Sequence, residues 1–148
     1  TYGTKVAYNT SNGSDHGIRI AEAYLNRAEA FIRRSLATGN DGDRVLALND
    51  LNVLRETRYM TGSYVDEQIT DANELLEFCL MERRLELSLE EGFRWFDIKR
   101  LGLSVTHVYI DTEGVEREYI LASNSPLYAL PIPYDAIERN YRLEQNPR

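Results

Sequence analysis

The acids Glu82, Glu86 and Glu90 stand four residues apart, and Asp97 follows within the same stretch, Glu82 to Arg100. On a helix the three glutamates form one column of like charges. Two carboxylates held at fixed separation are the groups of general acid–base chemistry and of glycoside hydrolysis. The same stretch also carries Arg83, Arg84, Arg94, Lys99 and Arg100, so its five negative charges meet five positive ones, and seven large apolar residues lie among them. Three readings compete: a solvated acidic edge, a catalytic acid pair, and an ion-pair knot buried beside the core. Trp95 and Phe96 call for burial next door, and charges taken out of water must pair. Paired acids without a cleft are a weak catalytic signal. The knot of Glu82, Arg83, Glu86, Arg94, Asp97 and Arg100 is therefore the expectation, with Arg83 and Arg84 on the helix and Arg94, Lys99 and Arg100 beyond it as the answering cations.

A second place for chemistry is the segment 57–70 (TRYMTGSYVDEQIT), which displays Tyr59, Met60 and Tyr64 near Asp66 and Glu67. An aromatic ring with polar neighbours can grip a sugar face by stacking and hydrogen bonding. Tyrosines that plug a loop onto the core are the commoner arrangement, so Tyr59 and Tyr64 are candidates for sugar contact and no more. Neither His16 nor His107 has a Cys, Asp or second His at ligand spacing, so no metal site is expected. The chain has no P-loop, no Gly-rich dinucleotide turn and no nucleophile elbow, and no cofactor is expected.

The elements that must position these residues are mainly helical. No β-branched residue occurs from Glu74 to Glu91, and Leu, Glu, Arg and Met are strong helix formers. Asp71 followed by Glu74 reads as a capping-box variant, and Gly92 as the left-handed residue that ends this helix. Leu76, Leu80, Arg83 and Leu87 share a face, with Leu75, Cys79 and Glu82 beside it. Upstream, Ile18, Ala21, Leu25, Ala28 and Ile32 trace one stripe, widened by Tyr24 and Phe31. Gly39 to Gly42 is a turn, Asp43 a candidate N-cap, and a second helix points Val45, Leu48, Leu51 and Asn52 inward, with Leu54 flanking. The pair reads as an αα-hairpin that must stack on something.

Beyond the central helix, a short helix from Phe93 closes at Gly102. Residues 105–110 and 115–121 read as strands of a hairpin that packs on the helices or on a strand outside this chain, since a lone hairpin is marginal. Leu130-Pro131-Ile132-Pro133 is a proline-fixed extended run. A helical turn follows from Tyr134 to Asn140. Residues 1–17, polar and rich in Gly, Ser, Thr and Asn, read as a loop or arm ahead of one domain over 18–148. Its two Asn-x-Ser/Thr matches, at Asn9 and Asn12, are of the kind such composition yields by chance.

With 148 residues the chain is one domain or a large part of one. A net charge of −7 argues against nucleic acid or an anionic membrane surface as the main partner. The single cysteine excludes an intrachain disulfide, and apolar runs are too short to span a bilayer. The first residue is Thr1, so a processed chain or an excised piece is expected.

Four stretches, in order, resemble the C-terminal part of the SusD/RagB family of surface glycan-binding lipoproteins. They are Ile18 to Ala30 (IRIAEAYLNRAEA), Leu48 to Arg55 (LNDLNVLR), ERRLEL at 82–87 with EGFRWFDIKR at 91–100, and LPIP at 130–133 through Asn140 to QNP at 145–147. The resemblance implies a mainly α fold, tetratricopeptide-like helix pairs with a small β-hairpin and irregular loops. It implies a non-enzymatic outer-membrane lipoprotein that captures oligosaccharides for a SusC-like TonB-dependent porin, with the lipid anchor outside this chain. The family's glycan-contacting aromatics lie largely outside these motifs, so the resemblance assigns Glu82, Arg83, Glu86, Arg94, Trp95 and Asp97 to the fold. Two other readings remain open: a tetratricopeptide-type protein interaction module, motivated by the hairpin from Ile18 to Arg55, and a glycoside hydrolase using two of Glu82, Glu86, Glu90 and Asp97.

Overall fold

A computed structural model describes residues 19–88, 90 and 92–147; the expected arm at 1–17 lies outside them. The chain divides into two compact units, residues 1–88 and 89–148. The described part is mostly helical with one two-stranded antiparallel sheet, as the resemblance implies.

The first unit holds α1 (Ile20–Thr38), α2 (Asp41–Glu56) and α3 (Ala72–Glu86). Helix α1 buries Ala21, Leu25, Ala28 and Ile32, the stripe read from the sequence less Ile18, which is not described. It ends at Gly39, whose φ of 73° suits a residue without Cβ and lets its N–H reach the Ser35 carbonyl at 2.8 Å. Helix α2 starts two residues before the expected cap. Asn40 is the N-cap, its side chain accepting from the Gly42 N–H. Asp43 lies instead inside the helix, buried, with both oxygens on Arg34.

The pairing of α1 with α2 has an internal repeat. Arg27 forks onto Asp50 at 2.7 Å through both nitrogens, and Arg34 forks onto Asp43 at 2.6 and 2.5 Å. Each arginine also lies over an aromatic ring three residues earlier, Tyr24 at 5.3 Å and Phe31 at 5.2 Å. The arginines stand two turns apart on α1 and the aspartates two turns apart on α2. Partner numbers rise on one helix as they fall on the other, the mark of an antiparallel pair. These forks select the face that α2 turns inward: Asp43, Ala47, Asp50, Leu51 and Leu54 are buried. Val45, expected inside, is 51% exposed, because it lies two residues, about 200° of helix, from both Asp43 and Ala47.

Helix α3 is capped as expected by Asp71, whose carboxylate accepts from the N–H groups of Asn73 and Glu74 at 3.0 and 2.9 Å. It buries Leu75, Cys79 and Arg83. Its end differs from expectation: the helix stops at Glu86 with Leu87 as C-cap, and Gly92 (φ 77°) is the N-cap of the next helix. Glu90 thus lies past the helix, and the column of three glutamates is reduced to Glu82 and Glu86.

The second unit holds α4 (Phe93–Leu101), β1 (Val105–Ile110), β2 (Glu116–Leu121), a 3₁₀ turn (Pro126–Tyr128) and α5 (Tyr134–Arg139). Helix α4 buries Asp97 and Ile98 and closes at Gly102, φ 60°. The positive φ favours glycine there, and the Asn124 amide oxygen, 2.6 Å from where a Cβ would stand, would have to swing aside for any other residue. Trp95 is half-buried with its ring 5.7 Å from Tyr128. Phe96 departs from expectation at 57% exposed; two residues from Ile98, it lies on the opposite side of a one-stripe helix.

The final segment is held by side-chain amides. Gln145 accepts from the Ile132 N–H at 2.8 Å and donates to the Ile132 carbonyl at 3.0 Å, standing in for a strand neighbour. Asn146 donates to the Leu130 carbonyl at 2.6 Å. Proline at 131 and 133 has no N–H to offer, so Ile132 supplies the donor. Gln145→Glu removes the amide donor and sets a carboxylate against the Ile132 carbonyl. It should cost on the order of 1–2 kcal/mol locally, read as about tenfold or greater acceleration of hydrogen exchange at the Ile132 amide.

Candidate functional site

Two carboxylates of the first unit, Glu82 and Glu67, meet at Arg55, the last residue of LNDLNVLR. It sits near the end of α2 on the inward face, one turn after Leu51, and its side chain is 9% exposed. One terminal nitrogen donates to the Glu82 carboxylate; the other donates to the Tyr59 hydroxyl at 2.9 Å and to Glu67 at 3.1 Å. The guanidinium lies 5.0 to 5.8 Å from the ring centres of Phe78, Tyr59 and Tyr64. Its Nε–H has no hydrogen-bond partner among the described residues. An arginine so enclosed survives because two carboxylates and three π faces replace its water.

Asn52, three residues earlier, clamps the loop to the same place. Its amide oxygen accepts from the Tyr64 hydroxyl at 2.6 Å and the Glu67 N–H at 3.0 Å, and its amide nitrogen donates to the Glu67 carbonyl at 3.2 Å. The sugar candidates Tyr59 and Tyr64 are therefore brought together, ring centres 5.0 Å apart and tilted by 50°, with both hydroxyls engaged inside the protein. Both residues are half-buried.

Glu82 and Glu86 are met by arginines from elsewhere in the chain. Glu82 takes Arg55; Glu86 takes Arg58 at 2.9 and 2.6 Å and Arg19 at 2.8 Å. Arg83 reaches Asn26 at 2.7 Å, with Glu22 at 3.8 Å. In the second unit, buried Asp97 pairs with Arg100 at 2.7 Å, and Arg94 is exposed. The role of Arg19, Arg55 and Arg58 was missed in the sequence. The signal for Arg55 was present: a cation at a core-facing position of an amphipathic helix needs a buried counter-charge.

Burial pushes the Glu82 carboxyl above its ordinary range, with Glu67 and Glu86 adding to the shift and Arg55 opposing it. Asp43 is held below the usual carboxylate range by its hydrogen bonds from Arg34. The signs of the linkage are opposite. Glu82 contributes most below its ordinary pKa, and this is lost as pH rises through the raised folded value. Asp43 stabilises above its ordinary pKa, and this is lost as pH falls through the depressed folded value. The Tm difference between wild type and Asp43→Asn should therefore shrink as pH is lowered from 7 toward 2, measured by calorimetry at fixed ionic strength. A difference that is constant with pH contradicts the Arg34 pairing.

No group of three or more His, Cys, Asp or Glu side chains is placed to hold a metal among the described residues. No helix among them is long and apolar enough to cross a membrane.

The SusD family model matches residues 2–148. A SusD-like protein, P38, of Formosa agariphila is 32% identical over 130 residues, covering 86% of this chain and 23% of that protein. A crystal structure of a SusD-like protein from Bacteroides fragilis NCTC 9343 superposes with a TM-score of 0.55 at 28% identity, covering 85% of this chain and 24% of that one. The chain thus spans about a quarter of the length of these relatives. With a match that takes in all four motifs, the chain belongs to the SusD family.

Proposed function

We propose that the protein carrying this chain is a non-catalytic glycan-binding component of a polysaccharide uptake system, displayed on the outer membrane and delivering oligosaccharides to a SusC-like TonB-dependent porin. Membership of the SusD family carries this reading. The engagement of three of the four candidate acids supports the non-catalytic part: Glu82 is tied to Arg55, Glu86 to Arg19 and Arg58, and Asp97 to Arg100. A glycosidase needs an acid free to exchange its proton with substrate. Glu82, Arg83 and Glu86 in the first unit, and Asp97 with Arg100 in the second, act here as scaffold. Within the loop 57–70, Tyr59 and Tyr64 offer ring surface alone to a sugar, held rigid by Arg55 and Asn52.

The test is calorimetric titration of the full-length protein with neutral and acidic polysaccharides, each mixture then assayed for new reducing ends. Saturable binding without cleavage is expected. Cleavage that disappears in Glu82→Gln or Glu86→Gln would overturn the non-catalytic assignment. Retention of a protein with every glycan inert would favour the interaction-module reading instead.

A further inference from the structure

The described residues contain a second tyrosine pair, on the β-hairpin. In the register Tyr109 faces Arg117 and His107 faces Tyr119, so Val105, His107, Tyr109, Arg117, Tyr119 and Leu121 share one side of the sheet. The rings of Tyr109 and Tyr119 stack diagonally across the strands, centres 5.4 Å apart and planes within 27°. Unlike Tyr59 and Tyr64 they are open, at 43% and 60% exposure, and their hydroxyls share one long hydrogen bond of 3.4 Å with each other.

The hairpin end holds this face in shape. One Asp111 oxygen accepts from the N–H groups of Glu113 and Val115, both at 2.9 Å; the other takes Arg117 Nε at 2.6 Å. Arg117 is therefore charge-balanced from within, on a side chain that is itself exposed. The opposite side of the sheet carries Glu116 and Glu118 beside Val108, Ile110 and Ile120.

From this arrangement we propose that Tyr109 and Tyr119 form a stacking platform for a neutral oligosaccharide, with Arg117 and His107 as hydrogen-bonding groups at its rim. The proposal rests on the glycan-binding reading above and adds a site to it. Two near-parallel rings present one broad π surface, which suits the C–H face of a pyranose chain. The charge balance selects the ligand: Asp111 already neutralises Arg117, so a uronate or sulfate finds no unspent guanidinium charge, whereas sugar hydroxyls need only dipoles and donors. Cross-strand aromatic pairs also stabilise hairpins, so the test must separate binding from folding.

Full-length protein is titrated with maltoheptaose, cellohexaose, laminarihexaose and mannohexaose, with oligogalacturonate as the anionic probe. Tyr109→Ala/Tyr119→Ala should lose about tenfold or more in affinity for the neutral probe that binds, while Tyr109→Phe/Tyr119→Phe stays within about threefold because the rings remain. In parallel, hydroxyl-radical footprinting of the wild type should show Tyr109 and Tyr119 reactive alone and protected by that probe, a readout independent of how the variants fold. Unchanged affinity in the alanine pair, or absence of protection, overturns the platform while leaving glycan binding intact. Tyrosines protected before any sugar is added also overturn it, since another segment or a second copy then covers the face. If no probe binds the wild type, the glycan-binding reading fails and the platform with it.

Discussion

Replacing Arg55 by alanine should destabilise the protein by about 3–5 kcal/mol, the cost of leaving a buried charge without its partner. Glu82, 12% exposed at its side chain, would keep its carboxylate but lose the guanidinium that neutralises it. Tyr59 and Glu67 would lose their donor, and Phe78 the cation over its ring. The size of the effect comes from what remains behind, so removing both charges should be milder. Arg55→Met/Glu82→Leu, which keeps volume without charge, should recover at least half of the loss in urea unfolding. A double variant as unstable as Arg55→Ala alone would show that the packing of the guanidinium, and not the stranded carboxylate, sets the cost.

Leu51→Ala should cost about 2–5 kcal/mol, whereas Val45→Ala should stay within about 0.5 kcal/mol. Leu51 is fully buried and Val45 half open, although both are apolar and lie on the same helix. The two changes delete similar chemistry from the two faces of α2, so their ratio reports which face is inside. Equal losses would mean that the helix is rotated from the orientation set by the Arg27–Asp50 and Arg34–Asp43 forks. Urea denaturation with unchanged m-values is the measurement.

The contrast between these residues shows where the sequence was legible. Helix α1 has a single apolar stripe, so Leu25, Ala28 and Ile32 were readable as core from their spacing. Helix α2 carries Val45, Leu46, Leu48, Leu51, Val53 and Leu54 around most of its circumference, and periodicity cannot choose between faces of such a helix. Ala47, fully buried, gives almost no hydrophobic signal of its own. The candidate tyrosines show the same division. Their nearness to Asp66 and Glu67 was legible, but the groups that occupy the hydroxyls are Asn52 and Arg55, from another element.

By itself, the sequence determined the family, the mainly helical class, the Asp71 cap, the closure at Gly102 and the hairpin around Asp111 to Gly114. All of these depend on local propensity or on motifs read in order along the chain. Only the tertiary structure decided which charges pair. Glu82 and Glu86 are answered by Arg55, Arg58 and Arg19, which lie 27, 28 and 67 residues away in sequence, whereas the sequence pointed to cations within the same stretch. An ion pair is formed by a few ångströms of space, and spacing along the chain predicts that distance only within one helix or hairpin. The same reason separates Tyr59 and Tyr64, drawn against the core by the inward-facing Asn52 and Arg55, from Tyr109 and Tyr119, which a two-stranded sheet leaves open.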